Sequence, residues 1–358
     1  MMTFPGFVDV HVHFRDPGLP EAETTRSGLS AARRGGFAAV VTMPNTTPAG
    51  DSVEWVKTQR SASCAGDPVI LPSACMTKGR LGREVADLEA LADAGAAFFT
   101  DDGSYVADDH VMESVMNRAA DLNMCVCQHA MDPVVLGNGV IRDCELARRL
   151  SLPVIPVETE TRAIRRDLSL CRVTGCRLHI QHISTAEGVA LVREAQREGL
   201  PVTAEATPHH LLLTCDDLVA DDANFKMAPP LGNREDRAEL RKAVKDGVLM
   251  FATDHAPHPR DRKSLGFAKS ANGIIGLETA IPITYAVMVE EEGMPVEAWA
   301  KAWWEMPRAI VRGFPEVGET TVSVGEPRVV DLGSFASLSR NCPYGGMSFS
   351  CWPTGVNS

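Results

Sequence analysis

The chain has 358 residues, of which 44% are hydrophobic and 23% charged. That is ordinary for a soluble globular protein and long enough for one large α/β barrel or two medium domains. A formal net charge of −12 argues against nucleic acid or an anionic membrane as partner, though not against an anionic substrate held by local cations.

Short apolar strands alternate with longer amphipathic helices along the chain. The first strand is read over residues 8–11, after the Pro5-Gly6 break. A helix over 21–34 stops at Gly35-Gly36. A strand over 38–43 closes with Pro44-Asn45-Thr46, and a helix over 52–64 follows with Asp51 as candidate cap. Further strands are read over 69–75, 96–100, 124–129, 177–182, 202–206 and 248–253. Helices are read over 81–94, 109–122, 143–150, 158–174, 185–198, 234–246, 277–291 and 296–305. Eight strands, each followed by helical material, predict a (β/α)8 TIM-type barrel. An open doubly wound sheet is the runner-up, but no G-x-G-x-x-G follows the first strand. Residues 260–269 read as a mobile loop, either a lid or a solvated connection. Trp299, Trp303 and Trp304 form either an exposed helical face or the packing of a helix on the barrel. After about residue 315 the chain turns to short β-like stretches, 319–332 and 347–352, among Gly, Pro, Ser and Asn. Two units are therefore expected: a barrel over 1–314 and a small β-rich appendage over 315–358, built from C-terminal residues alone. Ten cysteines without a C-x-x-C pair, no signal peptide and no membrane-length apolar run lead to the expectation of a reduced, cytoplasmic protein.

The polar residues at strand ends carry the chemistry. His11 and His13 are two apart on a strand and so project together, as a metal pair would. Taken alone, H-x-H is as often a pair of ordinary strand histidines. The other strand ends add Asn45, Asp101 and Asp102, His129, His182, and Asp254, His255 and His258. Each has a bland reading, Asp101-Asp102-Gly103 as a turn and His129 or His182 as a hydrogen-bonded core histidine. A barrel brings them all to one face. Four histidines and two carboxylates there offer N/O ligands for two divalent ions, with zinc the best match. Two adjacent ions would acidify a water and polarise a carbonyl, with Asp254 as general base turned acid. That is hydrolysis of an amide-like bond. Arg15, two residues past His13, can clamp a carboxylate; its plain alternative is a surface ion pair with Asp16 or Glu21. Asn45 and His258 could share the substrate's carboxylate and amide groups.

The segments Asp9-Val-His-Val-His-Phe-Arg-Asp-Pro-Gly, Met43-Pro-Asn-Thr, Thr100-Asp-Asp-Gly, His179-Ile-Gln-His-Ile-Ser-Thr, Glu205-Ala-Thr-Pro-His-His-Leu and Ala252-Thr-Asp-His-Ala-Pro-His together resemble a class I dihydroorotase of the amidohydrolase superfamily. The resemblance runs from about residue 5 to residue 350. It implies a binuclear zinc centre and reversible conversion of dihydroorotate to N-carbamoyl-aspartate in pyrimidine synthesis. It implies that His11 and His13 hold the first zinc with Asp254, and that His129 and His182 hold the second. An aspartate of strand 4 would bridge them, Asp102 being favoured over Asp101. Arg15, Asn45 and His258 match the substrate ligands, and a backbone contact is implied at Asn272-Gly273. His209-His210 match the family without a metal role.

The chain departs from the family pattern in three places. Ala228 stands where a hydrogen-bonding side chain is usual, with Asn233 or Asn272 as candidate substitutes. The chain starts almost directly at the first barrel strand, and it stops soon after Trp352. Other readings are an allantoinase- or hydantoinase-like cyclic-ureide hydrolase, disfavoured by the missing bridging lysine, and a silent structural partner of aspartate transcarbamoylase. The partners expected are a small-molecule substrate, a second copy of the chain in a homodimer, and aspartate transcarbamoylase.

Overall fold

In the computed structural model, which describes residues 1–357, the strand–helix alternation closes into a ring. A short β1 (Met2–Pro5) precedes β2 (Phe7–Val12), β3 (Phe37–Thr42) and β4 (Val69–Pro72), and the last three form one parallel sheet. β5 (Cys125–Gln128), β6 (Arg177–Ile180), β7 (Val202–Ala206) and β8 (Met250–Phe251) form a second. Residues 96–100 join the two sheets by single parallel bridges, Ala74 to Phe99 and Phe99 to Val126. The Phe99 N–H donates to the Cys125 carbonyl at 3.0 Å. At the other seam Val12 bridges His255, and the His13 N–H donates to the His255 carbonyl at 2.9 Å. Eight staves thus close into the (β/α)8 barrel that the alternation predicts, although the fourth is shorter than its apolar run suggested.

Period-two side-chain alternation divides the apolar residues into two layers. Val8, Val10, Ala39, Val41, Cys125, Cys127, Met250 and Ala252 cluster together with Ile310 and Val311. Their neighbours Phe37, Val40, Val126 and Phe251 belong to the larger cluster, which also holds the helix-borne apolar residues. The smaller cluster is therefore the barrel interior, and the larger one the seam between barrel and helices. Trp299 and Trp303, on the helix Val296–Ile310, are fully buried in that seam. Each indole N–H donates to the Thr284 hydroxyl, at 3.1 and 3.2 Å, and Trp303 packs on Phe37 and Phe251. The tryptophans therefore pack the helix on the barrel and do not form an exposed face.

Several elements differ from the sequence reading, each for a local reason. The first helix begins at Thr25, not 21, because Thr24 caps it reciprocally with Ser27 and Glu23 is drawn into the core. Ser52 caps the next helix, while Asp51 accepts the Gly79 N–H instead. Of 81–94 only Leu88–Asp93 is helical, because Gly79, Arg80 and Gly82 take left-handed backbone before it. Residues 260–269 form two short helices, Arg260–Lys263 and Gly266–Lys269. The appendage needs a correction as well. β9 (Glu319–Val329) and β10 (Ser348–Asn357) pair antiparallel, and β1 adds a third strand, with Met2 opposite Val322 and Pro5 opposite Glu319. The sheet is therefore not built from C-terminal residues alone: the first residues of the chain complete it. No helix among the described residues is long and apolar enough to cross a membrane.

The Trp303 packing is testable. Trp303→Ala should destabilise the fold by about 3–5 kcal/mol, read as a shift in the denaturant midpoint. A loss below about 1 kcal/mol would mean that this indole does not hold the helix to the barrel.

Candidate active site

Barrel closure gathers the strand-end residues into one buried cluster. His11 and His13 leave the end of β2, and Asp254 follows β8; His13 Nε2 lies 2.9 Å from Asp254 Oδ1 and His11 Nε2 lies 3.4 Å from it. Asp102 sits between all four imidazoles. Its oxygens lie 3.3 Å from His11 and His13, 3.6 Å from His129 and 3.8 Å from His182. His129 Nδ1 and His182 Nε2 face each other at 2.8 Å. Three overlapping trios could each hold an ion: His11–His13–Asp102, His11–His182–Asp254 and Asp102–His129–His182. Asp102 is common to the first and third, His11 to the first and second, and His182 to the second and third. Asp101 is turned away, and its carboxylate accepts from the Met76 and Thr77 N–H groups and the Thr77 hydroxyl.

The donor set fits a metal centre. His11 Nε2 and Asp102 Oδ1 are buried without a hydrogen-bond partner, a costly state unless a ligand completes them. The other nitrogen of each β2 imidazole is already engaged, His11 Nδ1 with Glu205 and His13 Nδ1 with Asn45 Oδ1 at 2.9 Å. That arrangement frees both Nε2 atoms for an ion and sets the ring orientation. Burial opposes ionisation of Asp254, but the charge of His11 and the hydrogen bond from His13 outweigh it and hold the carboxyl well below its usual range. His182 and Asp254 both have left-handed backbone, with φ of 31° and 47°. For residues with a side chain this costs roughly 1–3 kcal/mol each, the kind of strain that clusters at functional sites.

A second tier of residues, to which the sequence reading gave no role, orients the first. One oxygen of Glu205 holds the His11 ring and accepts the His182 N–H at 3.1 Å; the other lies 2.9 Å from His179 Nε2. Burial works against this carboxylate, yet His11 and His179 bring it down to about 2. Asp9 accepts the N–H groups of Thr253 and His11, at 3.0 and 3.2 Å, tying the end of β2 to the chain after β8. The available signal was an acidic residue inside an otherwise apolar buried strand, at positions 9 and 205. Of the pair His209-His210, His210 is structural: its ring bonds the Thr207 hydroxyl at 2.8 Å and the Pro229 carbonyl at 3.1 Å.

A cavity of about 380 Å³ opens over the cluster. His13, Asp102, His129, His182 and Asp254 line its floor, and Arg15, Asn45, Ala228, His258, Asn272 and Gly273 its rim. Arg15 pairs with neither Asp16 nor Glu21. Its Nε donates to the Pro257 carbonyl at 3.2 Å, and no carboxylate of the described residues lies within ion-pair distance. His258 donates from Nε2 to the Asn272 carbonyl at 2.7 Å, and burial, then Arg15, hold its pKa near 3, so the imidazole is neutral. Asn233 caps the helix Arg234–Lys245 outside the cavity and cannot substitute at position 228. A larger groove of about 670 Å³ lies on the outer flank between Arg33, Arg34 and the β9–β10 sheet, and no residue of the cluster lines it.

A family model of dihydro-orotase-like proteins matches residues 1–188. A dihydroorotase of Geobacillus sp. (strain WCH70) is 41% identical over 97% of this chain and 84% of its own length. A dihydroorotase of Bacillus caldolyticus is 40% identical over 98% of this chain and 84% of its own. Among solved structures, an L-hydantoinase from Arthrobacter aurescens superposes with a TM-score of 0.86 at 24% identity, covering 98% of this chain and 83% of that one. The dihydroorotase from Saccharomyces cerevisiae, solved with 5-fluoroorotic acid, superposes with a TM-score of 0.76 at 19% identity over all of both chains. These two likenesses speak for the fold.

The two acidic neighbours at the end of the fourth stave can be separated by experiment. Asp102→Ala should lose at least one metal per chain by elemental analysis, while Asp101→Ala keeps its metal; the reverse pattern would exchange their roles. Glu205→Gln should weaken metal binding by about 10–100-fold in a chelator competition, with the fold intact.

Proposed function

The chain belongs to the dihydroorotase family of the amidohydrolase superfamily, and on that premise we propose how its buried cluster opens and closes the cyclic amide of dihydroorotate in pyrimidine synthesis. The observation that carries the reading is the pairing of a six-residue His/Asp cluster, five of whose members line the cavity floor, with an arginine at the rim of the same cavity that has no carboxylate partner. His11, His13 and Asp254 would hold one zinc, His129 and His182 a second, and Asp102 both. When bound, such ions supply Lewis-acid polarisation of a carbonyl and a water acidic enough to attack at neutral pH.

The residues of the chain account for the rest. Arg15 supplies a cation for the substrate carboxylate, and the desolvated rim strengthens that pairing. Asn45 accepts from the His13 ring and lines the same cavity, so it both orients that imidazole and faces substrate. Neutral His258 offers its unpartnered Nδ1 to a substrate donor. Asp254, ionised and aimed into the cavity, accepts a proton from the attacking water and returns it to the ring nitrogen as the C–N bond breaks. The water oxygen ends in the new carboxyl group; one of its protons passes through Asp254 to the ring nitrogen and the other leaves to solvent as the carboxyl ionises, and the reverse sequence closes the ring.

Ala228 has no polar side chain to offer. The residue lines the cavity, and its main-chain N–H and carbonyl make no hydrogen bond among the described residues. We read them as the contact for the ureide edge of the substrate, a role that any side chain at this position would allow.

Zinc content and ultraviolet-monitored dihydroorotate hydrolysis test the assignment together. Near-stoichiometric zinc with turnover of a ureide lacking a carboxylate, and none of dihydroorotate, would overturn it. Asp254→Asn should lower kcat by about 10²–10⁴-fold with the fold preserved. Ala228→Asn should change kcat/KM by less than about 3-fold if the main chain makes the contact; a gain above about 10-fold would show that a side chain is missing there.

A further inference from the structure

The rim residues His258, Asn272 and Gly273 lie on the chain that follows β8, and the appendage holds that chain in place. Asn341 belongs to the connection between β9 and β10, far from the barrel in sequence, and it is 3% exposed. Its Oδ1 accepts the His258 N–H at 3.1 Å. Its Nδ2 donates to the carbonyls of Ala256 and Gly273, each at 2.9 Å. Its own carbonyl accepts the Ile275 N–H at 3.0 Å. One side chain therefore uses both amide hydrogens and its oxygen to join two runs of rim backbone, 256–258 and 273–275.

The fit leaves little room for adjustment. Gly273 has a φ of 150°, and a Cβ there would stand 2.5 Å from the Ala256 carbonyl oxygen and 2.8 Å from the His258 ring. The two runs are thus already in close approach, and Asn341 satisfies the polar groups that they cannot offer each other. The connection carrying Asn341 is itself anchored: the Leu338 N–H donates to Glu23 at 3.2 Å, Glu23 lies 3.2 Å from His255 Nε2, and the Ser339 hydroxyl donates to the Ala22 carbonyl at 2.7 Å. From the opposite side Lys263 donates to the carbonyls of Ala271 and Gly273, at 3.0 and 2.9 Å.

We propose that Asn341 is a positioning residue for substrate binding, aiming His258 at the ligand without touching it. The proposal rests on the reading that His258 faces substrate. It makes the appendage part of the binding apparatus, although none of its residues reaches the cavity.

A double-mutant cycle on the full chain tests it, with zinc content measured on every variant. Asn341→Ala should raise KM and the dissociation constant of orotate, a carboxylated pyrimidine that is not hydrolysed, by about 10–100-fold. Zinc content should stay the same and kcat within about 3-fold. In a His258→Ala background the same change should add less than about 3-fold, because its effect is transmitted through that residue. Independent multiplication of the two losses, or a fall in kcat and zinc with KM unaltered, would overturn the proposal. Asn341→Ser keeps a hydroxyl that can donate and accept, but is shorter and has one donor hydrogen instead of two. It should show the same KM-selective loss in smaller degree, and it carries the test if the alanine variant does not fold. An unaltered KM in His258→Ala alone would sink the substrate assignment, whereas an unaltered KM in both Asn341 variants beside an impaired His258→Ala would sink the positioning role alone.

Discussion

The hydrogen bonds that close the ring between β2 and the chain after β8 are the constraint on which the rest of the site depends. The His13 N–H reaches the His255 carbonyl, and Asp9 takes the Thr253 N–H. These bonds join residues more than two hundred positions apart and set His11 and His13 against Asp254. Without them the two imidazoles would be ordinary strand histidines. With them, two Nε2 atoms and a carboxylate converge, nearly buried, at the floor of the cavity, where an unfilled ligand set is costly.

Electrostatics maintains the arrangement. Glu205 and Asp102 are buried carboxylates that persist because imidazoles surround them, and the His11 and His179 rings keep their orientation because Glu205 accepts from them. Removing one partner strands the other, which is why buried polar networks of this kind stand or fall as a unit. At the rim the logic is reversed. Arg15 is given one backbone acceptor, the Pro257 carbonyl, but no carboxylate within ion-pair distance, so the strongest available partner for its charge is an anion arriving in the cavity.

The segment after β8 shows how the barrel's variable parts are held. Residues 260–269 read from sequence as a mobile connection; the chain flanking them is tied at the His258 N–H and the Gly273 carbonyl by Asn341, and at the Ala271 and Gly273 carbonyls by Lys263. A loop whose carbonyls are satisfied by buried side chains is an extension of the scaffold, and rigid rims favour precise substrate placement.

Much was legible in the sequence. Alternating apolar runs and helical periods determined the barrel, because period-two and period-3.6 patterns are local properties of the chain. The metal candidates were legible too, since His11, His13, His129, His182 and Asp254 each end an apolar run. What only the tertiary structure decided were the pairings between distant segments. Asp102 and Asp101 are neighbours with the same chemistry, and they differ only in that one meets four imidazoles and the other meets Thr77. Residues 96–100 and 81–94 carry strand and helix patterns, but their bonds were settled by flanking strands and by left-handed residues such as Gly79 and Gly82. The third strand of the appendage comes from the first residues of the chain, and the support of the rim comes from Asn341. Neither has a local signature, because each is defined by a partner some three hundred or some eighty positions away, and long-range closure leaves no trace in a sequence window.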